Sequence, residues 1–164
     1  MELTQTLCAK HHGGLRHIRL YDASKVVAAH YKTSAGCYSS LTVEEGYEPI
    51  EVAFAEQSAS WSESANGEGV VEHRVEFTLS GGRCGALGEL LELSEGGGVV
   101  AEVECAAGDV WIVGYSPRAT TDYPLRLQSA HHTTHSLRAD KPSVEVVLRS
   151  LDGWASHPTG WSLQ

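Results

Sequence analysis

The stretch Tyr47–Ser80, YEPIEVAFAEQSASWSESANGEGVVEHRVEFTLS, decides the fold. Its last part alternates without a break: Val71, His73, Val75, Phe77 and Leu79 fall on one face, and Glu72, Arg74, Glu76 and Thr78 on the other. Side chains of a strand point to opposite faces with a period of two, so this segment has one dry and one wet face. Upstream, Ile50, Val52 and Phe54 alternate with Glu51, Ala53 and Ala55. Between them, Ser64–Gly69 contains Asn66-Gly67, a hairpin signal, because a type I′ turn needs two residues that tolerate positive φ. The sequence therefore predicts a long β-hairpin with arms Ile50–Glu56 and Val71–Leu79, reaching out of the domain toward neighbouring copies. Glu51, Glu72 and Glu76 are its candidate acidic positions. Trp61, Ser64, Asn66 and Gly67 lie toward its tip, where an aromatic residue can anchor a contact.

Working outward, Leu15–Tyr21 alternates around Ile18 and Leu20 and reads as a strand, Lys25–Tyr31 as a strand or a helical turn, and Cys37–Val43 as a short strand. Cys84–Leu93 is the one good helix, with Leu87, Leu90 and Leu91 as an apolar stripe, Glu89 and Glu92 facing water, and Gly96–Gly98 as its stop. A second hairpin follows, Val99–Cys105 and Val110–Tyr115 about the loop Ala106–Asp109, with Val99, Ala101, Val103 and Cys105 inward and Glu102 and Glu104 outward. Tyr123–Ser129 and Val144–Arg149 complete the strands, and Pro124 marks a strand start or edge. The tail holds two tryptophans, Trp154 and Trp161, that read as a surface patch. Together these elements predict a single domain over residues 1–164: an antiparallel β-sandwich with one flanking helix and a protruding hairpin.

Composition limits what such a domain can do. At 164 residues with 41% hydrophobic residues, the chain can bury a sizeable core. Seventeen glycines and one methionine favour a turn-rich β protein. The net charge is −9, and it is uneven: Glu44–Asp109 holds 15 acidic residues against two basic ones, Arg74 and Arg83, a net of −13. Tight binding to nucleic acid needs a Lys/Arg stripe, which the central third of the chain lacks. No run approaches the roughly 20 apolar residues of a membrane span, and Met1-Glu-Leu-Thr4 lacks the basic start of a signal peptide. Synthesis in a cytoplasm is expected. On that basis Cys8, Cys37, Cys84 and Cys105, which form no CxxC pair, are expected to be reduced thiols.

Catalytic and metal signatures are weak. His131-His132-Thr-Thr-His135 has imidazoles but lacks the glutamate of HExxH and lies in a loop-like region, and Cys8-x-x-His11 has no second pair to complete a tetrahedral set. His12 and His17 stand elsewhere. Gly114-Tyr-Ser-Pro-Arg118 misses the second glycine of a nucleophile elbow. The glycine clusters make neither a GxGxxG nor a P-loop. The expectation is a non-enzymatic protein with no cofactor and no metal.

The order of elements resembles the tail tube proteins of tailed bacteriophages and, more loosely, the tubes of related injection machines. The resemblance is carried by Gly13-Gly-Leu-Arg-His-Ile-Arg-Leu20, the acidic hairpin, the Leu-rich helix, Val110-Trp-Ile-Val-Gly-Tyr-Ser116, Tyr123-Pro-Leu-Arg-Leu127 and the final valine-rich strand. It implies hexameric rings that stack into a virion tail tube, assembled in the host bacterium's cytoplasm, with hairpins joined into an inner barrel. It also implies partnership with other tail proteins and passage of DNA without tight binding. On this reading Glu51, Glu72 and Glu76 line the lumen, the tip residues touch the next ring, and Trp154 and Trp161 form a tail interface. Residues 1–12 and the tryptophan tail match nothing in the family pattern. A tail terminator, adaptor or minor tail protein shares this build. The rivals outside it are a capsid-decorating or receptor-binding β-module and a small zinc enzyme built on the histidines.

Overall fold

Strands that alternate apolar and polar residues leave one face to be covered, and this chain covers its strands in three layers. The computed structural model describes residues 14–55, 57–80, 86–133 and 142–163. Its strands are β1 (Leu15–Asp22), β2 (Val26–Lys32), β3 (Cys37–Val43), β4 (Ile50–Glu51), β5 (Ser60–Ala65) and β6 (Val71–Ser80), followed by helix α1 (Ala86–Gly96). Then come β7 (Val99–Cys105), β8 (Val110–Val113), β9 (Arg126–Thr133), β10 (Ser143–Asp152) and β11 (His157–Pro158). A five-stranded sheet runs β11-β8-β7-β1-β4, a four-stranded sheet runs β5-β6-β10-β9, and β2 and β3 form a separate ribbon. The named strands pair antiparallel throughout. The fold is mainly β, an antiparallel sandwich with one α-helix among the described residues, as the patterning predicts.

The main core lies between the two larger sheets and includes Ile18, Leu20, Val75, Phe77, Val103, Leu125, Val146 and Leu148. A second cluster, Tyr21, Tyr38, Val100, Ile112 and Tyr115 with Tyr31, Leu41 and Trp161, sits on the far face of the five-stranded sheet, beneath the β2-β3 ribbon. β7 is therefore buried along its whole length on both faces. Here the expectation for Glu102 and Glu104 is corrected: both are buried rather than solvated. Alternation marks them as facing away from the first core, and a second layer covers that side.

The long hairpin is also revised. β6 has the expected dry face, with His73, Val75 and Phe77 buried. Its partner arm is Ser60–Ala65, in register from Ser60↔Glu76 to Ala65↔Val71, and not Ile50–Glu56. Ile50 and Glu51 pair instead with Leu20 and Arg19 of β1, and Phe54 bridges to Leu79, so this segment crosses from one sheet to the other. Because β10 pairs with β6 from Ser143↔Ser80 to Asp152↔Val71, the part extending past the sheet is the turn, residues 66–70. That turn is not type I′. The Asn66 Oδ1 accepts hydrogen bonds from the backbone N–H groups of Glu68 and Val70, each 3.0 Å, and the positive φ falls on Gly69 at +82°. An Asn side chain that closes its own turn removes the need for a left-handed residue at Gly67.

The helix starts near the expected position, with Leu90 buried and Leu93 packed on the core. Leu91, expected in the apolar stripe, is exposed at 43%. The helix closes at Gly98, whose N–H donates to the Leu93 carbonyl at 3.0 Å. The ambiguous segment Lys25–Tyr31 resolves into a short 3-10 turn at Ala23–Lys25 and strand β2. The expectation of reduced thiols is corrected at Cys105, which is disulfide-bonded; Cys37 is free, and Cys8 and Cys84 lie outside the described residues.

The turn geometry separates two glycines that the sequence alone treats alike. Gly67→Ala is expected to change stability by no more than about 0.5 kcal/mol, whereas Gly69→Ala, forced into a left-handed backbone, should cost about 1 kcal/mol. Chemical denaturation of the two variants checks this, and a larger loss at Gly67 than at Gly69 would contradict the turn described.

Candidate functional site

The outer face of the four-stranded sheet carries the wet side of β6. Arg74 lies directly opposite Arg149 of β10, which lies directly opposite Arg126 of β9. Like charges opposite one another on neighbouring strands are unfavourable unless compensated. Here Arg149 Nη2 donates to Glu72 Oε2 at 2.9 Å, Arg74 Nε to Glu76 Oε1 at 2.5 Å, and Arg126 Nη1 to the Ser94 carbonyl at 2.6 Å. The carboxylates read from the sequence as a bare acidic face are thus neutralised by arginines. Glu51 does not join them: it lies on the five-stranded sheet, where Arg19 donates to it at 2.5 Å. Periodicity assigns faces, but Arg149 is 77 residues from Glu72, and pairing at that range carries no local signal.

Of the tip residues, Ser64, Asn66 and Gly67 are exposed at the hairpin end. Trp61 is not at the tip. It faces the core and packs against Trp111 with ring centroids 5.2 Å apart. The tail tryptophans are half-buried rather than free. The Trp161 Nε1–H donates to Glu102 Oε2 at 2.9 Å, and the Trp154 ring leans on Tyr123 at 6.0 Å. Burial, reinforced by Glu102, pushes the Tyr21 phenol well above its ordinary pKa, so Tyr21 is the donor to Glu102 Oε1. His131 and His132 are exposed neighbours on β9 and so point to opposite faces; His135, His11 and His12 lie outside the described residues. His17 Nε2 stands 3.6 Å from Glu104 Oε2. Among the described residues no group of three or more His, Cys, Asp or Glu side chains is arranged to hold a metal ion.

The most distinctive polar site escapes sequence reading. His73, only 2% exposed, sits between two carboxylates. Its Nδ1 lies 2.9 Å from Glu63 Oε2 on β5, and its Nε2 lies 2.9 Å from Asp152 Oδ1 at the end of β10. Ser156 Oγ adds a contact to Nδ1 at 3.2 Å. The carboxylates also cap backbone: the Ser156 N–H donates to Glu63 Oε2 at 2.9 Å, and the Trp154 N–H to Asp152 Oδ1 at 3.0 Å. Burial alone opposes charge on His73, but the hydrogen bonds to Glu63 and Asp152 outweigh it and hold the imidazole above its ordinary pKa. Burial likewise works to raise Glu63, and the hydrogen bonds from His73 and Ser156 prevail and hold it below. The one available clue was a histidine on the apolar face of β6; Glu63, Asp152 and Ser156 are distant in sequence.

Serine, histidine and aspartate in contact suggest nucleophilic catalysis, but this geometry serves a different end. A general base needs a free imidazole lone pair facing the hydroxyl. Carboxylates lie 2.9 Å from both ring nitrogens of His73 and favour its charged form, in which neither nitrogen can accept a proton from Ser156. The arrangement binds two strands and the C-terminal segment through one imidazolium.

No family model matches the chain, and no curated protein or solved structure matches it.

Removing one partner of a buried ion pair strands the other, at a cost of about 3–5 kcal/mol. Asp152→Ala is expected to fall in that range, because Asp152 has a side chain 5% exposed and serves both His73 and Trp154. Glu72→Ala, which breaks a pair exposed by about a third, should cost about 1 kcal/mol or less. Denaturant midpoints of the two variants give the comparison, and equal losses would show that the buried cluster contributes no more than a surface pair.

Proposed function

We propose that the chain is a structural virion protein, a tail tube subunit of a tailed bacteriophage that self-assembles into stacked, hexameric rings around a channel for DNA. The observation that carries this reading is the four-stranded sheet. Its outer strands β5 and β9, six and eight residues long, have no further strand beside them among the described residues. Exposed strand edges present unpaired N–H and C=O groups, and proteins that keep such edges normally pair, cover or charge them. Joining β5 of one subunit to β9 of the next would extend the four-stranded sheet around a ring, and closure into a barrel would remove both of its edges. The sandwich with one α-helix among the described residues agrees with the build that the resemblance implies.

In such a ring the face carrying Glu72, Glu76, Arg74 and Arg149 turns to the channel. Its chemistry differs from a uniformly acidic wall. Arginines already held by carboxylates of their own chain are poorly placed to grip phosphate, which favours passage of DNA without adhesion. The reading involves no catalysis and no cofactor. Its partners are further copies and other tail proteins, and assembly takes place in the host cytoplasm. No helix among the described residues is long and apolar enough to cross a membrane.

Negative-stain microscopy of the purified protein tests the proposal. Rings or stacked tubes with a central channel are the expected result. A protein that stays monomeric as its concentration is raised, or that forms only compact closed dimers, overturns it.

A further inference from the structure

Beyond assembly, the Glu63–His73–Asp152 cluster defines how the end of the chain is held. The segment Gly153–Leu163 runs as a strap along the β8 edge of the five-stranded sheet. Its β11 pairs with β8 through His157↔Ile112 and Pro158↔Trp111. The Thr159 N–H donates to the Val110 carbonyl at 2.8 Å, and the Gly160 N–H to the Tyr38 carbonyl at 2.9 Å. Trp161 reaches Glu102, and the His157 ring packs on Tyr31 at 4.6 Å. The strap thereby covers the second core cluster, and its root is fastened where Trp154 and Ser156 hydrogen-bond to Asp152 and Glu63.

We propose that this strap is proton-gated: the proton shared through His73 keeps it closed, and loss of that proton opens it from its root. A neutral imidazole has one N–H and can satisfy only one of the two carboxylates 2.9 Å from its ring nitrogens. The other would face a lone pair, and two carboxylates, Asp152 buried and Glu63 partly exposed, would then share one site with no positive charge between them. The groups facing His73 are Glu63 from β5, Asp152 from β10 and Ser156 from the strap, and the neighbouring His157 interacts with Glu63. Among the described residues no lysine or arginine forms an ion pair with either carboxylate. His157 cannot replace the charge, because burial holds its own pKa down. The same carboxylates that lose their donor are those that cap the strap's backbone, so the electrostatic loss reaches the strap directly.

The sign of the dependence is fixed. His73 is held above its ordinary value in the closed state, so its contribution is complete below the open-state pKa. It is lost as pH rises through the closed-state pKa. Glu63 is held below its ordinary value, so its contribution is complete above that value and is lost as pH falls through the closed-state pKa. The strap is tightest between these two limits.

Hydrogen exchange of the full chain, read by mass spectrometry over peptides from the strap and from β7, tests the proposal between about pH 6 and pH 10. After correction for the intrinsic rate, the strap's opening constant should rise up to about tenfold per pH unit above the ordinary imidazole pKa of about 6.5, then level off. The β7 amides should not follow it. Glu63→Gln, which keeps the shape but removes one charge, should make the rise level off at a lower pH and so reduce its total size. His73→Gln should leave a strap whose opening no longer depends on pH in this range. Strap and β7 protection that change in parallel at every pH would overturn the proposal in the unmodified protein, as would a wild-type pH profile in either variant.

Discussion

The five-stranded sheet is covered on both faces, and most of the molecule's unusual chemistry follows from that. One face meets the four-stranded sheet through Ile18, Leu20, Val103 and their neighbours; the other meets the β2-β3 ribbon and the C-terminal strap through Tyr21, Val100 and Ile112. An antiparallel sheet normally keeps one wet face. A strand such as β7, fully buried between two layers, has nowhere to solvate a polar side chain. Glu102 and Glu104 must therefore find partners inside the protein or remain unsatisfied, since burying a carboxylate without one is costly. Glu102 finds two donors, Tyr21 and Trp161. Glu104 Oε2 finds no hydrogen bond among the described residues and has only His17 nearby.

Buried charge plays a second part at the hairpin end. A buried ion pair is poor evidence of stability, because desolvation of its members cancels much of the attraction. What the His73 cluster supplies is specificity of arrangement. One imidazolium ties β5, β6, the end of β10 and the strap to a single geometry, and each carboxylate uses its remaining capacity on a strap N–H. An apolar group of the same volume could fill the space, but it would hold none of these backbone donors.

The outer face of the four-stranded sheet shows how a charge pattern changes meaning once strands are placed. Read along β6, Glu72 and Glu76 look like an acidic stripe. Read across the sheet, they flank a row of arginines, and the surface is close to balanced. A tube wall built from this face would avoid sticking to DNA through internal neutralisation, with repulsion contributing less than the composition suggests.

Local pattern accounted for a good deal. The period-two alternation of Val71–Leu79, Val99–Cys105 and Val144–Arg149, the helix in the Leu-rich segment and the turn around Asn66 are all legible in the residues, because each depends on neighbours a few positions away. The small and β-branched residues of Lys25–Tyr31 suit either a strand or a turn of helix, and pairing with β3 settles it. Alternation alone points to the wrong partner for β6 for a related reason: Ile50, Val52 and Phe54 alternate as well as any hairpin arm, but their apolar faces serve the β1 edge and the crossing between sheets. Residues Ser60–Ala65, with Trp61 as their one large apolar side chain, became the arm through backbone pairing with β6, the inward packing of Trp61 and the contact of Glu63 with His73. Tertiary structure also decided that Glu102 is buried, that Trp61 points inward, and that Glu63, His73, Asp152 and Ser156 meet. The sequence by itself determined which residues could share a face. Which faces became covered, and which charges became partners, was decided by contacts between residues tens of positions apart, where periodicity has no reach.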